Sequence, residues 1–379
     1  MKQIVYNEFL LRTKDKKLLR FKYKDTIGIY YETIINNKII NRKVAYKDSL
    51  KYFYIMNDYN DDINLICQDI YGNILLGILK NDDWVYRNLF NIKDNFITPI
   101  NIKGVFLEKD LNVIYNLDSN SNTIYFNNKI NSIDTIIYDD KSNIEIKYNI
   151  LSGENDISLI IYSISFDMFK LILKTYNAKN DTWSRNKIIF IDNHNYEDMS
   201  FCKNKNKVHS LIIINEDNKK LIIYKNIRLD KNEENQKEII IYEDSDIYSC
   251  LIVEFHSIIW AIWTSNNKLY GCYSTNNGED FSKPLIYKDI TTENIRKIIL
   301  VEGYTMKETY IIESEGYINL FLEELLIYNH PLDINYKEIT YSFKEKEKFN
   351  VVIKKIKNLE EIVDNQKSQI LSLENNIRK

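Results

Sequence analysis

Acids recur along this chain at near-even intervals. They stand at Asp48, Asp94, Asp140, Asp192, Asp244, Asp289 and Glu345, each closing an apolar stretch. Evenly spaced carboxylates gathered on one face of a fold could ring a cation. They could also accept hydrogen bonds from backbone N–H groups at strand ends, and the frequency of Asp in that role favours this reading. A denser group, Asp58, Asp61 and Asp62 with Asn57 and Asn60, offers the oxygen ligands calcium takes, but without a defined loop spacing it reads as a solvated turn. Cys67, Cys202, Cys250 and Cys272 are far apart and form no CxxC pair, and His194, His209, His256 and His330 are scattered. No metal site, disulfide or cofactor is expected, and the thiols read as buried and reduced. No Ser-His-Asp, HExxH, GxGxxG or P-loop arrangement appears, so no nucleotide site is expected. The 29 tyrosines could stack on sugars or anchor a protein partner from loops, but most fall in strand-like stretches and read as packing.

The elements that must position these residues are legible as a repeat. An apolar stretch ends in an aromatic or Ile, and an acid follows: Ala45-Tyr46-Lys47-Asp48, Ile137-Tyr138-Asp139-Asp140, Ile189-Phe190-Ile191-Asp192, Ile241-Tyr242-Glu243-Asp244 and Ile286-Tyr287-Lys288-Asp289. Ile92-Lys93-Asp94 is a shorter copy and Ser342-Phe343-Lys344-Glu345 a weaker seventh. The steps, 45 to 56 residues, match one four-stranded propeller blade. Repeat four divides into strands over 143–150, 157–165, 169–176 and 183–191, and repeat six over 248–255, 258–264, 268–274 and 281–287. Second strands such as Ile258 to Trp263 are apolar on both faces, as strands between neighbouring sheets should be, and Trp260 and Trp263 must then face opposite ways into inter-blade core. Three alanines in a chain rich in Ile and Tyr argue against a helical protein. The expected fold is all-β: a seven-bladed β-propeller of four-stranded blades over residues 1–345, closed by Ile339 to Phe343 or, alternatively, by Gln3 to Tyr6.

The turn between third and fourth strands carries a further signal. Asn81, Asn180 and Gly278 stand at the same offset before Trp84, Trp183 and Phe281, and Asn and Gly tolerate the positive φ that such turns need. The stretch Ser274 to Phe281 resembles the Asp-box of sialidase-like β-propellers, Ser-x-Asp-x-Gly-x-Thr-Trp. Ser274, Gly278 and Phe281 match, Asn276 replaces the Asp and Asp280 the Thr. The copies before Trp84 and Trp183 are more degenerate. The resemblance implies the fold, with the boxes as structural turns on the rim. In an active member of that family it would also imply three arginines clamping a carboxylate, a Tyr–Glu nucleophile pair and a catalytic acid. Arg42, Arg87 and Arg185 fall on predicted fourth strands, Arg228 in a long turn and Arg378 in the tail. Only Arg12, Arg20 and Arg296 remain near inner strands, and the Arg-Ile-Pro start motif is absent, so no catalytic residue is assigned.

After Glu345 the period changes. Phe349, Val352, Ile356, Leu359, Val363, Gln366, Ile370, Leu373 and Ile377 alternate steps of three and four, a heptad seam over residues 346–379. β-Branched residues at a with Leu at d favour a parallel two-stranded coiled coil, with a trimer, docking onto the propeller or a partner-specific helix as alternatives. The formal charge of −3, from 51 basic and 54 acidic residues with no basic stripe, points away from nucleic acid. The apolar runs are too short for a membrane span, and Met1 to Glu8 has no apolar signal core. The reading that results is a non-enzymatic interaction or structural protein. Its propeller head would bind a protein or glycan ligand and be multimerised by the coil. It would be cytoplasmic, or assembled into a spore or phage scaffold. The alternative is a glycan-binding lectin or a sialidase-like glycoside hydrolase. A hydrolase predicts carboxylates converging on the channel mouth beside arginines; a lectin predicts exposed aromatics at equivalent places on several blades; a scaffold predicts neither.

Overall fold

The computed structural model describes residues 8–320, apart from 93–98, 108, 129–133, 141–145, 154, 166–167, 193–194, 205, 217–218, 230–237, 256, 304 and 315. The heptad positions Phe349 to Ile377 and both candidate closing strands, 3–6 and 339–343, lie outside the described residues.

The architecture is all-β and propeller-like. Antiparallel sheets follow one another along the chain. The first comprises β1 (Glu8–Arg12), β2 (Leu18–Lys24), β3 (Gly28–Ile35) and β4 (Lys38–Tyr46). The second comprises β5 (Ser49–Asn57), β6 (Ile63–Asp69), β7 (Asn73–Lys80) and β8 (Asp83–Asn91). The third comprises β9 (Pro99–Leu107), β10 (Asp110–Leu117), β11 (Asn120–Asn127) and β12 (Thr135–Asp139). The fourth comprises β13 (Lys147–Ser152), β14 (Asp156–Ser165), β15 (Met168–Asn177), the two-residue β16 (Thr182–Trp183) and β17 (Lys187–Asp192). The fifth comprises β18 (Asn195–Asn204), β19 (Lys207–Glu216), β20 (Lys219–Arg228) and β21 (Glu238–Asp244). The sixth comprises β22 (Ile247–Phe255), β23 (Ile258–Ser265), β24 (Lys268–Ser274) and β25 (Leu285–Thr291). β26 (Ile295–Glu302), β27 (Thr305–Ser314) and β28 (Tyr317–Leu320) come last and join the first sheet in one closed barrel, in the order β1-β2-β3-β4-β28-β27-β26. Arg228, expected in a long turn, instead ends β20. The fourth strand of repeat six begins at Leu285 rather than Phe281, because Ser274 to Ser282 folds as an extended turn.

Apolar clusters fill the spaces between successive sheets. β23 is buried along its whole length, with Trp260 packed towards Tyr310 and Trp263 towards Ile213 and Ile222 of the fifth sheet, the opposed placement its register requires. The last three strands bury one side against the sixth sheet through Tyr310 and Ile295, and the other against Leu10 and Ile34 of the first through Ile298, Leu300 and Ile311. β1 runs parallel to β26, pairing Phe9 with Ile299 and Arg12 with Glu302. β28 meets β4 at Tyr317 and Lys38.

The repeated signature has a physical cause. On five outer strands the pairing slips by one residue, leaving an extra residue: Ala45 in β4, Leu89 in β8, Ile137 in β12, Ile189 in β17 and Ile241 in β21. This is a β-bulge, which twists an edge strand and blunts it against pairing with another chain. The extra residue turns inwards, buried in the first four cases, while Val44, Ile136, Ile188 and Ile240 just before it are exposed. The aromatic that follows, Tyr46, Phe90, Tyr138, Phe190 or Tyr242, resumes the register. In β25 the slip is longer, between Tyr287 and Thr291.

The hairpin turns are equally explicit. Asn36-Asn37, Asn81-Asp82 and Asn266-Asn267 all have positive φ at both positions, as two-residue type I′ hairpins need. In repeat four the left-handed residue is Asp181 rather than the expected Asn180. Trp84 packs on Phe21 and Tyr31, Trp183 on Phe126, and Phe281 on Tyr224, so each of these aromatics ties its turn to the preceding sheet, while Trp84 and Trp183 also pack on Tyr86 and Tyr176 of their own. Among the described residues no helix is long and apolar enough to cross a membrane.

Candidate binding cleft

Of the repeated acids, Asp244 shows its role at the strand end. Asp244 Oδ2 accepts hydrogen bonds from Ser265 Oγ (3.0 Å), Asn266 Nδ2 (2.7 Å) and Tyr242 OH (3.1 Å), fastening the β23–β24 turn. Partial burial works against its charge, yet the Ser265 and Tyr242 hydroxyls hold it below the usual carboxylate range. Asp58 Oδ1 is likewise spent on the backbone N–H groups of Asn60 and Asp62, at 2.8 and 2.9 Å, which makes 58–62 a tight turn. Among the described residues no group of three His, Cys, Asp or Glu side chains is arranged to hold a metal. The four thiols are free; Cys67, Cys250 and Cys272 are buried and Cys202 half-buried.

The turn Ser274 to Phe281 is closed by its own side chains. Ser274 Oγ accepts from Gly278 N–H at 2.9 Å and donates to Asn276 Oδ1 at 2.8 Å, and Asn276 Oδ1 also accepts from Asp280 N–H at 3.2 Å. Gly278 has φ +84°, and a Cβ there would lie 1.7 Å from Tyr224 OH. Ser274 and Asn276 are thus spent on closing the turn, and Gly278 is held against Tyr224.

Two places gather charge. The first lies near the axis, where inner strands converge. Lys103 of β9 donates to Tyr148 O (2.8 Å) and Asn149 Oδ1 (3.0 Å). Ser200 of β18 donates to Glu308 of β27 and accepts from Ile252 N–H at 3.0 Å. Lys297 of β26 donates to both oxygens of Asp198 (2.7 and 2.8 Å), to Met199 O and to Cys250 O. Burial works against the Lys297 charge, but Asp198 and Glu308 hold its affinity for the proton above normal. Burial pulls Lys103 down to about 7, with Glu308 acting the other way. The cavity beside these groups is only about 30 Å³, room for about one water. Lys297 is neutralised by Asp198, and Lys103 is met by a carbonyl and an amide oxygen, so the cluster is a polar core.

The second is an open cleft of about 640 Å³ where β1, β5 and β26 leave the ring on one face. The β1–β2 turn supplies Thr13, Lys14 and Lys16, the β5–β6 turn Asp61, and the β26–β27 turn Gly303, with Arg12, Asn57 and Glu302 at the strand ends. Lys16, Asp61 and Gly303 all have left-handed φ, the tight returns that keep the mouth open. Arg12 Nη1 donates to Glu302 Oε1 at 2.8 Å, and Lys307 Nζ lies 3.2 Å from Glu302 Oε2. Lys14 donates to Asn60 O at 2.6 Å and lies 3.5 Å from Asp61. Arg20 and Arg296, the other arginines near inner strands, lie elsewhere: they share Glu8 and Glu313 at the opposite end of β1. No three arginines meet around an open site among the described residues. The exposed tyrosines Tyr59, Tyr71, Tyr248 and Tyr317 sit at different places in their sheets, so they do not build a site repeated from blade to blade.

No protein-family model and no curated protein matches the chain. Among solved structures it is similar to a post-proline cleaving enzyme from Rickettsia typhi, with 11% identity and a TM-score of 0.50 over 82% of this chain and 52% of that one. The chain thus spans about half the length of that enzyme. It is also similar to an ulvan lyase solved with bound GlcA(1-4)Rha3S, with 10% identity and a TM-score of 0.51 over 85% of this chain and 96% of that one. A third likeness is to the Aleuria aurantia lectin, a six-bladed β-propeller, with 10% identity and a TM-score of 0.38 over 72% and 92% of the two chains. At these identities the likeness is one of fold. The expectation of a non-enzymatic scaffold head is nevertheless corrected: the two solved structures above that share the fold at a TM-score of 0.50 or more, the post-proline cleaving enzyme and the ulvan lyase, are enzymes.

Proposed function

We propose that the chain is a carbohydrate-recognising propeller, with the sugar held in the cleft between the β1–β2, β5–β6 and β26–β27 turns. The observation that carries this is the cleft itself. Its volume, about 640 Å³, is in the range of small-molecule sites, and its lining is dense in directional polar groups. Binding without turnover is the form we favour. Glu302 and Asp61, the two carboxylates on the lining, each stand beside cations, Arg12 and Lys307 for one and Lys14 for the other, in partly exposed pairs suited to exchange with a ligand's charge. A glycan array on the full chain, repeated with Arg12→Ala, tests the reading. Hits that vanish in the variant support it; an empty array, or hits indifferent to Arg12, refutes it.

Two finer assignments belong to the same proposal. The last three strands, sandwiched between the sixth and first sheets, are read as a closing blade of a seven-fold ring, and Ser274 to Phe281 as a degenerate Asp-box. The heptad run 349–377 would join several heads and so raise avidity for a repeated glycan without new contacts. Light scattering on the full chain and on residues 1–345 should give a multimer and a monomer; equal masses would dismiss the coil.

A further inference from the structure

We propose that the sugar this cleft takes is anionic, and that its carboxylate or sulfate group docks on Arg12 and Lys307 by displacing Glu302, an internal stand-in for the ligand. This rests on the carbohydrate reading and names its ligand class. The first support is charge. The molecule carries a net −3, yet Arg12, Lys14 and Lys16 line the cleft against Asp61 and Glu302, and Lys307 stands behind Glu302 as a fourth cation. Three cations on the wall against two carboxylates give an incoming anion direct charged partners there.

The second support is geometry. One carboxylate, Glu302, receives Arg12 on Oε1 and Lys307 on Oε2. Two cations presented to the two oxygens of one oxyanion are the arrangement a uronate or a sulfate ester would need. The third is exchangeability. The Arg12 and Glu302 side chains keep 24% and 33% of their surface in water, so their pairing is weak and an incoming oxyanion can replace it at little cost. Lys16, exposed and with no ion-pair partner among the described residues, remains to hold a second charge along the chain of sugars.

Calorimetry on the full chain tests this. The probes are a tetragalacturonate, its neutral methyl ester and inorganic sulfate, each at low and at physiological salt. The acid should bind at least tenfold more tightly than the ester, and salt should weaken it. Glu302→Gln, which removes the internal competitor, should tighten both tetragalacturonate and sulfate about five- to tenfold. Lys16→Gln, a fold-neutral surface change, should weaken tetragalacturonate two- to threefold. If acid and ester bind alike and neither variant shifts the acid, the anionic inference falls while the carbohydrate reading stands. If no glycan binds, both fall. Sulfate binding alone, unchanged by Glu302→Gln, overturns the displacement.

Discussion

Removing the Arg20 guanidinium should open the ring at its closing seam. Arg20 is 1% exposed. It donates through Nη1 and Nη2 to both oxygens of Glu313 (2.8 and 3.0 Å) and through Nε to Glu8, and its Nη1 lies 3.6 Å from Glu32. It thereby ties the first sheet to β27. In Arg20→Met the stem is kept and the charge lost. Breaking a buried pair by removing one partner costs about 3–5 kcal/mol. Glu313, 35% exposed, can rehydrate, and Arg296 still reaches Glu8 and Glu313, so the lower end, about 3 kcal/mol, is the expectation. At about 2.1 cal/mol/K per residue over about 300 ordered residues, that is a fall in Tm of about 5 °C. Hydrogen exchange locates the effect. The amides shared by β1 and β26, from Phe9 to Arg12 and Ile299 to Glu302, should lose protection while those of β19 and β23 keep theirs. The sign with pH follows from Glu313. Its hydrogen bond to Arg20 outweighs partial burial and lowers its proton affinity. Its contribution is therefore present above the usual carboxylate range and lost as pH falls through its depressed value. A uniform loss of protection around the ring, or none at the seam, would refute the reasoning.

Two further perturbations test the packing around the fifth and sixth sheets. Gly278→Ala should cost at least about 3 kcal/mol, because the added methyl meets the Tyr224 hydroxyl and the left-handed φ is strained as well; denaturant melts read this, and a cost under about 1 kcal/mol contradicts the turn geometry. His209, fully buried with Nδ1 2.7 Å from Tyr224 OH, is pulled down to about 4 by burial and then by Lys207. An unfolded His takes up its proton near 6.5, so stability should fall by about 3 kcal/mol as pH drops from 6.5 to 4. His209→Gln should flatten that part of the profile, and an unchanged slope would place the titration elsewhere.

How much was legible depended on the range of the interactions. The repeat could be read because each bulge is built from neighbours in sequence: one exposed residue, Val or Ile in four of the five, one inward residue and one aromatic, with an acid shortly after. Hairpin turns such as Asn266-Asn267 announced themselves through residues that accept positive φ. The cleft was hidden because Arg12, Asp61 and Glu302 meet only when the chain closes on itself. The one available hint was that Arg12 falls near the end of an inner strand. Arg20 and Glu313 are a further case: 293 positions separate them, and no local pattern couples them. Lys103 and Lys297 sit amid strand-like sequence with nothing to mark them as buried. The degenerate box at Ser274 drew notice for its composition, yet its side chains are consumed in closing their own turn.

The cleft and the seam are one piece of structure. Arg12 and Glu302, the ion pair in the cleft, are also the last matched residues of the parallel pairing between β1 and β26, while Glu8, Arg20, Arg296 and Glu313 clasp the other end. A ligand that grips Arg12 from one strand and the β26–β27 turn from the other must favour the closed ring. Linkage sets the size of this effect: at a ligand concentration of 100 times Kd, the closed state gains about 2.7 kcal/mol. That is close to the loss expected for Arg20→Met. Saturating ligand should therefore return most of the lost protection at Phe9 to Arg12 in that variant, whereas in a Gly278→Ala chain it should raise global stability by the same linkage without restoring local protection around that turn, between the fifth and sixth sheets. If ligand restores local protection at the Gly278 turn as fully as at Phe9 to Arg12, or restores neither, the site is not on the seam.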